Sequence, residues 1–358
     1  MSFAIAAAGT GGHIYPALAV AEALVAGGTD RADIVFFGGD RLEATVYPAE
    51  GFAFVGLDLQ SLRRNLSPRN LLLPGVMARA SRRARTEMVG RGVRVVLGMG
   101  SYVTVPVGWA ARRSRIPLFL HEQNAEAGLA NRMMARLATK TFVSFAETAG
   151  IRRPILVGNP VRERLAGFAR PELRHEAMNR YGLIPGPVVV GVFGGSMGAG
   201  VINEAVASLA QQWSGSPIQL LHLTGRVHED DMRRLSEQAV VPWTVLGFEE
   251  EMEYFYAACE IVIARAGGAV GEIAVTGTPA VLVPGSFGGG HQMANAARFE
   301  KAGAAVVVDE DRLGTLPDTV QRLVDDPRLR RRMAESSKAL AHPDAAAVVA
   351  GELRQAHG

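Results

Sequence analysis

Short, almost uninterrupted apolar runs alternate with longer stretches of helical period from the start of the chain. The runs in the first half are SFAIAAAG, DIVFFGG, FAFVGLDL, VRVVLGMG, IPLFLHEQN, KTFVSF and PILVGNP. Between them lie helical patterns from Pro16, near Leu42 to Glu50, across Pro68 to Val89, from Val105 and from Leu129. Because apolar and polar residues hardly alternate within a run, each strand is covered on both faces, as in a parallel sheet flanked by helices. The pattern restarts at PVVVGVFGGSMG and continues through IQLLHLTG, WTVLGF, EIVIARAG, PAVLVPG and AAVVVDED, with helices from Val201, near Asp230 to Gln238, from Val270 and from Gln292. The stretch between the halves breaks the rhythm. The prediction is an α/β chain with two Rossmann-like domains, residues 1–160 and 187–340, facing one another across a cleft. A linker over 161–186 joins them, and a helix over 341–358 packs back on the first domain. No short solenoid repeat or low-complexity tract interrupts this plan.

At 358 residues the chain is long for a single core, which agrees with two domains. It is 48% hydrophobic and 20% charged, the balance of an ordinary globular protein. The one cysteine, Cys259, lies in an apolar segment, which excludes an internal disulfide and a cysteine-based zinc site and predicts plain packing. No secretory leader and no apolar run of about 18 residues is visible, so a cytoplasmic chain is expected. The net charge of +3 hides an asymmetry: residues 1–158 hold 19 Lys+Arg against 11 Asp+Glu, a balance of +8, and the remainder stands at −5.

Two glycine loops sit where a strand passes into a helix: GTGGH (Gly9 to His13) and FGGSMGAG (Phe193 to Gly200). Glycine permits positive φ and close backbone approach, so freed N–H groups and the helix N-terminus can bind an anion such as a diphosphate. A tight turn with nothing bound is the plain alternative. Neither loop has the G-x-G-x-x-G pattern of dinucleotide enzymes or the Lys-Ser/Thr ending of a P-loop, which disfavours both classes.

Seven segments fall in the order seen in the MurG family: GTGGHIYPALAVAEAL, GMGSYVTVPVGWAA, IPLFLHEQNAEAGLANR, VGNPVR, VFGGSMGAGVINEAV, ARAGGAVGEIAVTGTPAVLVP and GGGHQMANAARFEKAGAAVVV. The chain resembles these UDP-N-acetylglucosamine:undecaprenyl-diphosphate-MurNAc-pentapeptide N-acetylglucosaminyltransferases from about residue 3 to 348. The resemblance implies a glycosyltransferase-B fold, with a lipid-linked acceptor on the first domain and the UDP-sugar on the second. It also implies a place in peptidoglycan synthesis, hence in cell shape and division, at the cytoplasmic face of the membrane and beside other wall-synthesis proteins.

Carried over by position, Gly194, Gly195 and Ser196 line the donor diphosphate, Arg162 approaches the donor from the hinge, and Glu272 pairs with the ribose hydroxyls. Gln292 and Asn295 read the sugar hydroxyls, an amide being able to donate and accept together. Thr10, Gly11, Gly12 and Asn124 are also expected near the donor; Tyr102, His121 and Asn124 belong to the acceptor side. An inverting transfer needs one base and one anion stabiliser. His13, with an ordinary pKa of about 6.5, suits the base, and Glu122 is the second candidate. N–H groups supply the anion stabilisation, so no cofactor or protein-bound metal is expected. The D-x-D spacing of Asp309 to Asp311 is read as a solvated turn.

Residues 60–95 contain nine arginines opposed only by Glu87. Leu71, Leu72, Leu73, Val76 and Met77 lie among them, and Trp109 precedes Arg112, Arg113 and Arg115. With Arg79, Arg82 and Arg83 these residues form the expected face for an anionic membrane, each cation contributing about 1 kcal/mol. A core helix with a solvated basic face is the alternative, and the absence of an aromatic platform argues against nucleic acid. Four departures from the family pattern bear on specificity. Met197 replaces a glutamine, Ser101 a glycine and His291 an acid or amide, while Arg265 to Glu272 is one residue short. They leave room for a related transferase with another donor or acceptor, or for a non-catalytic nucleotide-binding paralogue.

Overall fold

The computed structural model describes residues 2–59, 73–167, 169–285 and 290–356. They form two compact units, residues 1–163 with 342–358, and residues 164–341. In the first unit β1 (Ser2–Ala6), β2 (Ile34–Gly38), β3 (Ala53–Gly56), β4 (Val93–Gly98), β5 (Leu118–Glu122), β6 (Lys140–Val143) and β7 (Ile155–Leu156) make one sheet in the order 3-2-1-4-5-6-7. Every pairing is parallel. The connecting helices are α1 (Gly11–Ala26), α2 (Glu43–Ala49), α3 (Leu73–Gly90), α4 (Thr104–Arg113) and α5 (Leu129–Met134). The period of two along β1 divides the core. Phe3 and Ile5 enter one cluster with Ile14, Leu18 and Leu24 of α1, whereas Ala4 and Ala6 enter another with Ala80, Ala84 and Met88 of α3. Each fully buried large apolar side chain contributes about 1.5–3 kcal/mol.

The second unit carries α6 (Glu163–Ala166) at its entry and then α7 (Arg170–Arg180). Its strands are β8 (Val188–Phe193), β9 (Ile218–Leu223), β10 (Trp243–Leu246), β11 (Ile261–Ala264), β12 (Ala280–Leu282) and β13 (Ala305–Val307), parallel in the order 10-9-8-11-12-13. The helices are α8 (Gly200–Gln212), α9 (Glu229–Ser236), α10 (Met252–Ala258), α11 (Ala269–Thr276), α12 (His291–Lys301), α13 (Leu316–Asp325) and α14 (Pro327–Ala339). Gly191 in β8 lets the adjoining layer press close, since a Cβ there would lie 2.4 Å from Cys259 Sγ. Cys259 is fully buried in that layer. In both sheets β-strand order reverses direction beside a glycine loop, where ligands of open α/β sheets bind.

Residues 164–186, expected as linker, are an integral part of the second unit. The reason lies in arginines and an amide that sequence polarity alone assigned to solvent. Arg170 donates to the carbonyl oxygens of Tyr256 and Cys259 and, at 2.6 Å, to Thr278 Oγ1. Arg174 donates to the carbonyl of Ala258 at 2.9 Å. These are the carbonyls left open where α10 ends, and a guanidinium satisfies several at once. Gln219 of β9 then pins Ile184, accepting from its N–H and donating to its carbonyl. At the other end of the chain α15 (Ala345–Gln355) lies in the first unit, with Val349, Ala350 and Leu353 in the α1 cluster. Helix α1 starts at Gly11, five residues before the expected Pro16, so Gly11, Gly12 and His13 occupy its first turn.

Two histidines are wholly buried at strand ends. His121 of β5 meets the carbonyl of Gly158 through Nε2 at 2.9 Å. His222 of β9 meets Asn203 Oδ1 through Nε2 at 3.1 Å. Both partners are acceptors, so both rings carry a proton on Nε2. Burial pushes His121 down to about 4 and His222 down to about 3. The unfolded chain binds these protons below about pH 6.5, so the stability held above that pH is lost as pH falls toward the folded values. Thermal unfolding between pH 7 and 4.5 should show a fall of about 1–2 kcal/mol per histidine by pH 5. In His222→Gln the acid loss should be smaller; an unchanged pH slope would contradict the buried neutral ring.

Candidate active site

The first glycine loop runs from the end of β1 into α1. Of its three glycines only Gly9 needs the left-handed region, at φ 100°; Gly11 and Gly12 are helical. Thr10 at the N-cap makes no side-chain capping bond, and the first turn holds no acid, so the positive end of α1 is not neutralised from within the helix. His13, in that turn, is half-buried. Behind the loop stands Glu43, the first residue of α2 and fully buried, which accepts from Gly9 N at 3.1 Å and Gly39 N at 2.9 Å. Ser101 Oγ accepts from Ala8 N at 3.0 Å. The Ser101 departure therefore adds a bond that a glycine could not make. Tyr102 is half-buried against the same group, and its phenol is pushed up to about 12 by burial and by the Glu43 charge.

The HEQN segment corrects three expectations. Glu122 is 2% exposed and its oxygens are fully engaged. Oε1 accepts from the backbone and side-chain nitrogens of Asn124 at 3.1 and 3.0 Å, and Oε2 from Gly128 N and Asn131 Nδ2 at 3.0 and 2.9 Å. Four donors fill the lone pairs of this carboxylate and leave none aimed outward, so Glu122 organises this loop and is not placed as a base. His121 is wholly buried beneath the loop, bonded to the Gly158 carbonyl, and presents no surface to a substrate. Asn124 turns its amide onto Glu122. Asn131 extends the arrangement to the neighbouring strand end, because a Cβ on Gly100 would meet its Nδ2 at 2.7 Å.

In the second unit the loop after β8 is shaped by three glycines with different duties. A Cβ on Gly194 would lie 2.4 Å from Ala199 N, and one on Gly198, at φ 75°, would lie 2.0 Å from the carbonyl oxygen of Thr224. Both are packing constraints. Gly195, at φ 95°, is exposed with no atom within 4 Å of a Cβ, so it is the place where a ligand can come closest to the chain. Ser196 is half-buried beside it and Met197 is 71% exposed. Helix α8 follows with no side-chain cap and no acid in its first turn, as α1 does. From below, Asn203 donates to the Thr224 carbonyl at 3.0 Å while His222 holds its Oδ1, which fixes the loop against the turn after β9.

Glu272 is half-buried in the first turn of α11, where Tyr256 Oη donates to its Oε2 at 3.1 Å. Burial pushes its carboxyl up to about 7, only partly offset by that bond. Gln292 of α12 accepts from Gly285 N at 2.9 Å, which leaves Nε2, a pair of donors, for a ligand. His291 opens the same helix and is half-buried. Asn295 departs from its expected role: it is fully buried and donates to the Ala266 carbonyl at 2.9 Å, so it fixes the β11–α11 turn from within. In that turn Arg265 donates to the Val283 carbonyl at 3.0 Å and to Glu310 Oε1 at 2.6 Å, which gives the acidic triplet at 309–311 an ion-pairing role. Arg162 is likewise engaged, inside the first unit, with Glu22 at 2.5 Å and Glu50 at 3.0 Å. Two carboxylates occupy the guanidinium that was expected to approach the donor.

On α3 the charged face is as expected and the apolar one is not. Arg79, Arg82, Arg83 and Arg85 are exposed. Val76 and Met77, however, pack against the core beside Ala80, Ala84 and Met88. Trp109 of α4 is 39% exposed, with Arg112 and Arg113 exposed one turn on. Leu71, Leu72 and the side chain of Leu73 lie outside the described residues. No helix among the described residues is long and apolar enough to cross a membrane.

Glu43, Asn203 and Tyr256 were not found by sequence reasoning. Only the Gly-Gly pair at 38–39, four and five residues before Glu43, hints that something must fit closely there.

Residues 3–143 match the glycosyltransferase family 28 N-terminal domain, and residues 189–349 match the family 28 C-terminal domain. The chain is 40% identical over its whole length, and over 98% of the relative, to the UDP-N-acetylglucosamine--N-acetylmuramyl-(pentapeptide) pyrophosphoryl-undecaprenol N-acetylglucosamine transferase of Acidithiobacillus ferrooxidans. It is 37% identical to the protein of that name from Mycolicibacterium smegmatis, over 98% of this chain and 92% of the relative. The solved structure of Acinetobacter baumannii MurG superposes with a TM-score of 0.77 at 27% identity, covering 99% of this chain and all of that one. A UDP-GlcNAc 2-epimerase from Neisseria meningitidis, at 15% identity and TM-score 0.69 over 99% of this chain and all of that one, shares the fold alone. With both halves matched and relatives at this identity along its full length, the chain belongs to the MurG family of glycosyltransferase family 28.

Proposed function

We propose that the protein transfers N-acetylglucosamine from UDP-GlcNAc to the MurNAc 4-hydroxyl of undecaprenyl-diphosphate-MurNAc-pentapeptide, with inversion, at the cytoplasmic face of the membrane. The observation that carries the reading is the passage of β1 into α1 and of β8 into α8 through a glycine loop, each helix beginning with no acid in its first turn, in a member of this family. Each suits a diphosphate: that of the lipid-linked acceptor at α1 and that of the nucleotide sugar at α8. The acceptor oxygen attacks the anomeric carbon while the bond to the diphosphate breaks. UDP departs with the bonding electron pair, and the proton of the attacking hydroxyl passes to His13. N–H groups around Gly195 and the terminus of α8 stabilise the charge on the leaving diphosphate, a role that asks for no protein-bound metal.

Transfer is tested with labelled UDP-GlcNAc and a short-chain acceptor in excess chelator. A β1→4-linked product is expected, and a requirement for added metal or the absence of product would refute the corresponding part. His13→Ala should lower kcat about 10²- to 10⁴-fold, and a folded variant of near-normal rate would assign the base elsewhere. Glu272 in its ionised form accepts from both ribose hydroxyls, so KM for UDP-GlcNAc should fall as pH rises through about 7. Glu272→Ala should weaken donor use by about 1–3 kcal/mol and erase that pH dependence; unchanged donor kinetics would remove the ribose role.

A second reading, a changed donor, is favoured by one observation. Met197, 71% exposed in the donor loop, offers an apolar thioether where the family pattern has an amide. Preference for UDP-glucose or UDP-GalNAc over UDP-GlcNAc would support it.

The exposed arginines of α3 and the Trp109 edge of α4 form the surface that docks on an anionic leaflet. Arg82, Arg83 and Arg85 replaced together by Glu should abolish sedimentation with anionic vesicles while sparing turnover of a soluble acceptor. Retained sedimentation would contradict this surface.

A further inference from the structure

A buried carboxylate is costly, several kcal/mol unless its lone pairs are filled. Glu43 is fully buried, and its two oxygens reach two different strand ends: Oε2 accepts from Gly9 beyond β1, and Oε1 from Gly39 beyond β2. A tight turn alone does not call for a charge in that place. The surrounding residues make room for it. A Cβ on Gly38 would lie 2.7 Å from Glu43 Cγ, and one on Gly39 would lie 2.1 Å from the Tyr102 hydroxyl and 3.0 Å from Glu43 Oε1. The Tyr102 ring in turn stands 4.0 Å from where a Cβ on Gly9 would be. Ser101 draws the adjacent Ala8 N–H to the same side. Two successive N–H groups are thus bound from behind, and the chain turns at Gly9, through positive φ, into the first turn of α1 that carries His13.

We propose that Glu43 is a positioning residue for the transfer reaction, fixing the path of residues 8–13 and with it the placement of His13 and Tyr102, without touching either substrate. The inference rests on the reading of His13 as the base. A charge-assisted bond is shorter and about twice as strong as a neutral one, which suits a loop whose displacement by about 1 Å can cost about 10² in rate.

The test uses the intact protein and Glu43→Gln, which keeps the size of the side chain but sets an NH₂ donor against one of the two N–H groups. Expected are a 10- to 100-fold fall in kcat, a KM for UDP-GlcNAc within twofold of wild type, an unfolding temperature within a few degrees, and about tenfold faster amide exchange confined to residues 8–13 and 39–43. Wild-type kcat in a folded variant would overturn the proposal. So would a loss of kcat and of donor binding that merely follows the folded fraction. If Glu43→Gln does not fold, Ser101→Ala, which removes only the Ala8 bond, carries the same comparison, with a 3- to 10-fold fall in kcat expected at unchanged donor KM and an unchanged kcat counting against. Wild type assayed alongside separates the two claims. Transfer by wild type with a normal variant refutes Glu43 alone, whereas no transfer by wild type refutes the reading of His13 and the role of Glu43 with it.

Discussion

A backbone N–H at the end of a buried parallel strand has lost its sheet partner and must find another acceptor or meet a ligand. The whole molecule is arranged around that constraint. Where the strand end is to be closed, a side chain from elsewhere in the fold supplies the acceptor: Glu43 for Gly9 and Gly39, Ser101 for Ala8, Glu122 for Asn124 and Gly128. At the starts of α1 and α8, which follow the glycine loops, no side chain caps the helix and no acid stands in the first turn. Helix α14 carries a side-chain cap, with Asp326 accepting from Leu329 N at 2.8 Å.

The same division explains why so many polar residues in the glycine-rich motifs do not face a substrate. Asn131, Asn203, Asn295 and His222 are buried: Asn203 and Asn295 donate to neighbouring turns, Asn131 donates to the end of β5, and His222 holds Asn203. Asn203 and Asn295 hold strand-end turns in shapes that glycine makes accessible but does not enforce. What remains accessible is small: the first turn of α1 with the half-buried His13, Gly195 and Ser196, and the partly buried Glu272 and Gln292. A layer of hydrogen-bonded side chains beneath a few more accessible ones is what electrostatic preorganisation requires.

Much of the fold was legible in sequence because its signal is local. Apolar runs with little alternation mark buried parallel strands, and the glycine loops mark the passages to helices; each strand expected from such a run was found, most expected helix starts moved by only a residue or so, α1 began five residues early, the expected start of α3 at Pro68 lies outside the described residues, and α7 and α10 were not expected. The site was legible as motifs but not as geometry. Whether Glu122 is a base or a fully engaged acceptor depends on Gly128 and Asn131, six and nine residues away, and the burial of His121 depends on Gly158, 37 residues on. Glu43 reaches back 34 residues to Gly9. Residues 164–186 looked like a linker because Arg170 and Arg174 read as surface charge; nothing local reveals that they terminate α10, more than 80 residues later.

The central claim is that the donor diphosphate is held by backbone N–H groups at the start of α8, with Glu272 on the ribose. A crystal structure of the protein with UDP-GlcNAc tests it most directly. The account predicts diphosphate oxygens within hydrogen-bond distance of N–H groups between Gly195 and Val201, and ribose hydroxyls on the Glu272 carboxylate. A nucleotide seated instead at the Gly9 to His13 loop, or a diphosphate held by side-chain cations with the α8 terminus empty, would contradict it.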